Sequence, residues 1–485
     1  MANLEQFLKQ TYHFSSFRPG QKEVIKTLLA KQSMLAILPT GNGKSLCYQF
    51  YGRYTNKRVL IVSPLLSLMQ DQVSQMKYQG YQQVIALTSE QDYLTRQKVL
   101  ANLGAYQYIF LAPEILQNRL VKQALQALKI GLLVVDEAHC ISTWGPDFRP
   151  DYLQLGKLQR LLGQPLTLAL TATATPKVKE DICQQLGLSK VYQRSVNREN
   201  IYLEVLKVAS QSQKDQKLLE LVNYLQGPGL IYFSSKKLAD RLAKWLGQRS
   251  QLRVAAYHAG LSHLDRYSIQ QQFLQGQLDL VCATSAFGMG VNKEDIRYVI
   301  HYHLPSDLNS YVQEIGRAGR DGKQSCAILL YQAGDEFIQR QLLENTLPAP
   351  LEISQYFMSK AQGQSKISSE KQRLLASFND QVAGEQRALT FFAARKKERL
   401  TALKQMATYA KTSGCLRQYI LTYFAEKPGQ HNDYNCCHNA DYWQTLAQLG
   451  LKRKSRDERS NAWAGEFEYQ TILAQLFTNY NKSEE

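Results

Sequence analysis

The chain has 485 residues, 44% hydrophobic and 20% charged, with 58 Lys and Arg against 41 Asp and Glu, a formal net charge of +17. That length predicts two to four domains, and the apolar content excludes wholesale disorder. No apolar run approaches the ~20 residues needed to cross a bilayer. The segment 1–14 shows no secretory pattern. The positive surplus suits either plain solubility or attraction to phosphate polymers. Cys47, Cys140, Cys183, Cys282 and Cys326 sit in mostly apolar contexts and read as reduced thiols of a cytosolic protein.

Short apolar runs at 34–38, 59–62, 108–111, 132–135 and 166–170 alternate with helix-like stretches. After Tyr202 the rhythm restarts at 229–233, 254–257, 280–283, 298–302 and 327–331. Strands alternating with helices predict parallel sheets, and two sets predict two tandem doubly wound α/β domains. The polar Ala209-Ser210-Gln211-Ser212 places the join near 203–213, giving lobes over 1–205 and 206–340. Beyond 340 the strand rhythm stops. Residues 341–441 read as a smaller, mainly helical module, and 442–485 as a short polar tail with isolated Trp443 and Trp463. Arg395, Lys396, Lys397, Arg399, Lys404 and Lys411 form a basic helix face, either solvated or phosphate-tracking.

The chemistry-bearing motifs follow in chain order. Phe17-Arg18-Pro19-Gly20-Gln21 offers Arg18 and, in Gln21, a paired donor and acceptor suited to the edge of adenine. Leu38-Pro39-Thr40-Gly41-Asn42-Gly43-Lys44-Ser45 follows a strand and opens a helix, as a phosphate loop does. Glycines turn N–H groups onto the phosphates, Lys44 reaches the terminal phosphates, and the Ser45 hydroxyl ligates Mg²⁺. Leu38 stands where the fuller pattern has a glycine. Asp136-Glu137-Ala138-His139 ends the run Leu132-Leu133-Val134-Val135, so its carboxylates emerge at a strand's C-terminal edge. Asp136 is expected to hold Mg²⁺ and Glu137 to activate water. Trp144, Phe148 and Arg149 follow within a dozen residues as a stacking surface. Gln313-Glu314-Ile315-Gly316-Arg317-Ala318-Gly319-Arg320, in the second α/β unit, supplies arginines able to neutralise charge on the γ-phosphate.

These motifs, with Thr171-Ala172-Thr173-Ala174-Thr175, Tyr257-His258-Ala259-Gly260 and Phe287-Gly288-Met289-Gly290, resemble those of the RecQ DNA helicases of superfamily 2. The likeness is close over about 10–335 and looser over 350–440. It implies RecA-like lobes with ATP between them and single-stranded or partly duplex DNA across both. Arg320 becomes the preferred finger. His139, Thr171 and Thr173 become couplers, and Trp144, Phe148 and Arg149 become DNA sensors. The implied enzyme is a DNA-stimulated ATP hydrolase and 3′→5′ DNA helicase of the isomerase class, acting in repair and recombination. It is expected as a monomer in a bacterial-type cytoplasm, associated with the nucleoid. The rival expectations are an ATP-dependent RNA helicase and an ATP-gated DNA-binding or annealing protein.

Relatives often carry a four-cysteine zinc module after the second lobe. Here Cys415, Cys436 and Cys437 remain and Ala440 replaces a final Cys. The resemblance implies Zn²⁺ on these thiols, with His431, His438 or Asp441 as candidate fourth ligand, against a zinc-free remnant held by packing. With 45 residues from 441 onward, a winged-helix domain is not expected.

Overall fold

The computed structural model describes residues 3–453 except 65, 89–90, 143–149, 289–292, 360–366, 377, 380–382, 429–434 and 439–440. The expected DNA sensors Trp144, Phe148 and Arg149, together with Met289, Gly290, His431, Ala440 and residues 454–485, lie outside the described residues.

The first sheet contains β1 (Met34–Ile37), β2 (Val59–Val62), β3 (Val84–Leu87), β4 (Tyr108–Leu111), β5 (Leu132–Val135), β6 (Thr167–Thr171) and β7 (Lys190–Gln193). Their order is β3-β4-β2-β5-β6-β1-β7, and every pairing is parallel. The inner strands are buried along their full length, which is why they read as unbroken apolar runs. Strands β3 and β7 are the edges and were not among the predicted strands, although β3 is itself the apolar run Val84-Ile85-Ala86-Leu87. Lys190 and Val191 of β7 are exposed, so no apolar run marks the strand.

The second sheet contains β8 (Ile201–Val208), β9 (Gly229–Tyr232), β10 (Val254–Tyr257), β11 (Leu280–Ala283), β12 (Tyr298–His301) and β13 (Ser325–Gln332), ordered β10-β11-β9-β12-β13-β8 and again all parallel. Strand β8 pairs with β13 from Ile201 to Val208, so the chain changes sheet between Gln193 and Ile201, ahead of the expected 205/206 join. The polar stretch taken for a linker is a helix start: Ser210 Oγ accepts from the Gln213 N–H at 3.2 Å and caps Gln211–Tyr224.

Helices Pro350–Ser359, Ser369–Ala376 and Gly384–Lys411 form the module, sharing a small core of Leu347, Ile353, Leu375 and Phe392. The last helix continues onto the second lobe, where Leu403, Met406 and Ala410 join the lobe's own core. After helix Leu416–Tyr423 the chain returns along the edge strand β8, with Leu203 N–H donating to the Cys436 carbonyl at 3.1 Å.

The stretch expected as a polar tail begins as a docked element. Helix Tyr442–Gln448 sets Trp443 4.5 Å from the Tyr224 ring. Leu446 and Leu451 are buried, and Arg453 Nη2 donates to the Val222 and Leu225 carbonyls at 3.1 and 3.0 Å. Sparse apolar residues at helical spacing suffice to seat it. Among the described residues no helix is long and apolar enough to cross a membrane.

Candidate nucleotide cleft and thiol cluster

Strands β1, β5 and β6 are neighbours in the first sheet, so the segments leaving their C-terminal ends meet at one place. From β1 comes the loop to Lys44 and Ser45, which open helix Lys44–Thr55. Its turn needs glycine at Gly43: φ is +65°, and a Cβ there would stand 2.7 Å from Gln21 Nε2. Leu38, at the position of the missing glycine, is still in the sheet. Its N–H donates to the Thr171 carbonyl at 3.0 Å and its side chain fills the space under Gly20. Gln21 spans the loop rather than projecting free: Nε2 donates to the carbonyls of Asn42 (2.8 Å) and Gly43 (3.0 Å), and Oε1 accepts from the Arg18 N–H at 2.8 Å. Pairing with adenine requires exchanging those bonds. Asn42 Nδ2 donates to the Pro19 carbonyl at 3.2 Å.

From β5 come Asp136 and Glu137. Glu137 adopts a left-handed conformation (φ +47°), a strained backbone of the kind held at functional sites. Burial and the adjacent Glu137 push the Asp136 carboxyl up, against the pull of Lys44. Burial acts the same way on Glu137, but Lys44, His139 and Arg317 outweigh it and hold that carboxylate low. Both carboxylates lie under the charge of Lys44.

The second lobe closes the cleft. Thr40 Oγ1 donates to the Gly316 carbonyl at 2.8 Å, and a Cβ on Gly41 would stand 3.0 Å from Arg320 Cγ. Arg320 thus lies against the phosphate loop, whereas Arg317 turns back and donates to the Gly288 carbonyl of its own lobe. Arg198, unmarked by any motif, donates to carbonyls on both sides, Thr40 at 3.3 Å and Gly319 at 2.6 Å. Burial and the nearby charges of Arg317 and Arg198 push Arg320 down to about 9. Arg320 and Arg198 at the phosphate loop, with Arg317 behind them, make a crowded cationic site that an anion relieves. Arg18 bridges the mouth, donating to the Gly41 carbonyl and pairing with Glu294 of the second lobe at 3.0 Å. The cavity so enclosed measures about 830 Å³, and Lys44, Ser45, Glu137 and Arg320 line it. Its volume and charge fit a nucleoside triphosphate.

A relay leaves the cleft. His139 Nδ1 lies 3.3 Å from Glu137 Oε2 and 3.0 Å from Thr171 Oγ1. Thr171 Oγ1 donates to the Thr173 carbonyl at 3.0 Å, and Gln313 Nε2 of the second lobe donates to Thr173 Oγ1 at 3.1 Å. Burial pushes the His139 imidazolium down, with Glu137 opposing. Thr171 and Thr173 are both buried.

The thiols form a second centre. Sγ separations are 3.5 Å (Cys415–Cys436), 3.6 Å (Cys415–Cys437) and 3.8 Å (Cys436–Cys437). A tetrahedron of Zn–S bonds near ~2.3 Å has edges of ~3.8 Å, so the three sulfurs stand at its corners despite two being sequence neighbours. The Leu416 and Gln418 N–H groups point at Cys437 Sγ and Cys415 Sγ at 3.3 and 3.5 Å. A hydrogen bond from Cys437 and the Arg417 guanidinium hold the Cys436 thiol low. His438 and Asp441 are engaged elsewhere: His438 Nδ1 lies 3.1 Å from Glu204, and Asp441 accepts from the Gln444 N–H at 3.1 Å. Among the described residues the cluster is three thiols.

Comparison with known proteins matches residues 18–182 to the DEAD/DEAH box helicase family, 213–322 to the helicase conserved C-terminal domain and 371–441 to the RecQ zinc-binding family. The chain is 40% identical to the probable ATP-dependent DNA helicase RecS of Bacillus subtilis over 97% of its own length and 99% of that protein. It is 37% identical to the ATP-dependent DNA helicase RecQ of Bacillus subtilis over 87% of its length and 64% of that protein. Among solved structures it resembles the helicase Lhr of Mycobacterium smegmatis bound to ssDNA and AMP-PNP, with a TM-score of 0.56, 19% identity, and coverage of 81% of this chain and 57% of that one, a likeness of fold.

Proposed function

The chain belongs to the RecQ family of ATP-dependent DNA helicases, and from that premise we propose that it hydrolyses ATP between its RecA-like lobes to move 3′→5′ along single-stranded DNA and separate duplexes in repair and recombination. One observation carries this reading: Arg320 of the second lobe lies against the phosphate loop of the first. Hydrolysis that needs both lobes is hydrolysis that closure controls, and closure is what moves a strand.

Lys44 and the loop from Thr40 to Ser45 bind the phosphates. Ser45 and Asp136 hold Mg²⁺, which when bound offsets phosphate charge. Glu137 orients and deprotonates water, and Arg320 neutralises the developing γ-phosphate charge. His139, Thr171, Thr173 and Gln313 pass the state of Glu137 to the second lobe, while Trp144, Phe148 and Arg149 sense DNA. Cys415, Cys436 and Cys437 hold zinc as a structural staple.

A strand-displacement assay tests the reading. Unwinding is expected for a duplex with a 3′ single-stranded overhang, not for one with a 5′ overhang, and not with Lys44→Ala. Displacement of RNA duplexes in preference to DNA, or ATP-dependent annealing with no displacement, would replace it.

A further inference from the structure

Helix Gly384–Lys411 turns a stripe inward along Ala388, Phe392, Arg395, Leu403 and Met406, with Arg399 partly buried on the same side. The apolar ends of the stripe belong to different cores, Phe392 to that of the helical module and Leu403 to that of the second lobe. Two arginines interrupt it between them. A charge in such a place is costly unless paired. Arg395 is 4% exposed; its Nη1 donates to the Ser142 carbonyl of the first lobe at 3.2 Å and pairs with Glu398 at 3.0 Å. Ser142 closes the short turn Ala138–Ile141 that carries His139. One helical turn on, Arg399 Nη1 stands 3.9 Å from Asp307 of the second lobe. Asp307 caps helix Leu308–Ile315, accepting from the Ser310 N–H at 2.8 Å, and that helix leads to Gln313, Arg317 and Arg320. Tyr409 Oη donates to Tyr311 Oη of the same helix at 3.2 Å.

We propose that helix Gly384–Lys411 is an interlobe strut, and that Arg395 and Arg399 are positioning residues for ATP hydrolysis. Arg395 fixes the turn behind Glu137 and His139. Arg399 fixes the start of the helix that delivers Arg320. Both sit on one rigid rod, so the spacing between the water-activating carboxylate and the finger is set from outside the two lobes. The module then acts on turnover without touching nucleotide. This inference rests on the ATPase reading above.

The test uses the full chain, with ATP turnover measured at saturating single-stranded DNA. Arg395→Ala is expected to lower kcat about tenfold with KM for ATP within about twofold and an unchanged thermal midpoint, because small displacements of reacting groups cost rate before they cost binding. Arg395→Lys keeps one donor for the Ser142 carbonyl and is expected to recover most of the rate. Arg399→Gln is expected to show the same split. Thr401→Ala, exposed on the same helix, is expected to match the parent. Parental kcat in both Arg395→Ala and Arg399→Gln would overturn the strut. So would an equal loss in Thr401→Ala, or a loss that tracks the thermal midpoint and is not restored by lysine. Should Arg395→Ala fail to fold, Arg399→Gln decides alone. A parent protein that does not hydrolyse ATP would count against the ATPase reading instead.

Discussion

The nucleotide cleft and the thiol cluster are built on opposite principles. The cleft draws on strand ends of both sheets, and in the proposed mechanism its members stay apart in function: Lys44, Glu137 and Arg320 each act on a different part of one reaction. The cluster draws on a single edge, where Cys415 and the Cys436-Cys437 pair lie against β8. In the proposed reading its members act as one unit, because three sulfurs at tetrahedral spacing would hold a metal jointly. Damage to the cleft should therefore change rate and spare stability. Damage to the cluster should change stability first.

The sharpest break of that contrast is Arg320→Ala. Loss of an arginine finger costs roughly 10³-fold in kcat, and the thermal midpoint should not move; stopped-flow phosphate release and calorimetry check the two halves. Lys44→Ala should cost roughly 10²-fold or more and also weaken ATP binding, since the ammonium contacts ground state and transition state alike. Cys437→Ser should leave residual ATP turnover per folded molecule near the parent while lowering the melting midpoint by about 5 °C or more. Metal analysis should fall from near one zinc per chain to well under that. Parent protein purified without chelator and free of zinc would contradict the staple. The smallest effect belongs to Glu294→Gln. Its pair with Arg18 is about half exposed, with side-chain accessibilities of 48% and 47%. Such pairs are worth ~0–1 kcal/mol, so KM for ATP should shift no more than about threefold.

The sequence was most legible where a strand is buried on both faces and ends in chemistry. Leu132–Val135 and Asp136-Glu137 illustrate this: an apolar run needs helices on both sides, and polar residues at its end must emerge at the sheet's rim. The edge strand β7 was missed because its exposed side removes that signal; β3, with the apolar run Val84-Ile85-Ala86-Leu87, carries the signal and was not among the predicted strands. Glu204 hid β8, since a buried carboxylate paired with Tyr202 and His438 breaks the apolar pattern without breaking the strand. Arg198 and Glu294 carry no local mark, and Arg395 and Arg399, expected on a basic face that is solvated or phosphate-tracking, are instead buried and half-buried against other elements. Their partners lie in other elements, as with Arg395 and Ser142, 253 positions apart, and only the folded chain brings them together. The thiols were legible as a group. Their separations were not, since adjacent cysteines look unsuited to one metal until the folded chain shows their sulfurs 3.8 Å apart.

The central claim is that closing two lobes on ATP drives movement along DNA. It is tested most directly by the steady-state rate of ATP hydrolysis with and without a single-stranded DNA oligomer. Stacking worth ~1–3 kcal/mol per base is enough to bias closure, so the rate should rise about tenfold or more on adding DNA. An equal rate in both conditions would contradict the account.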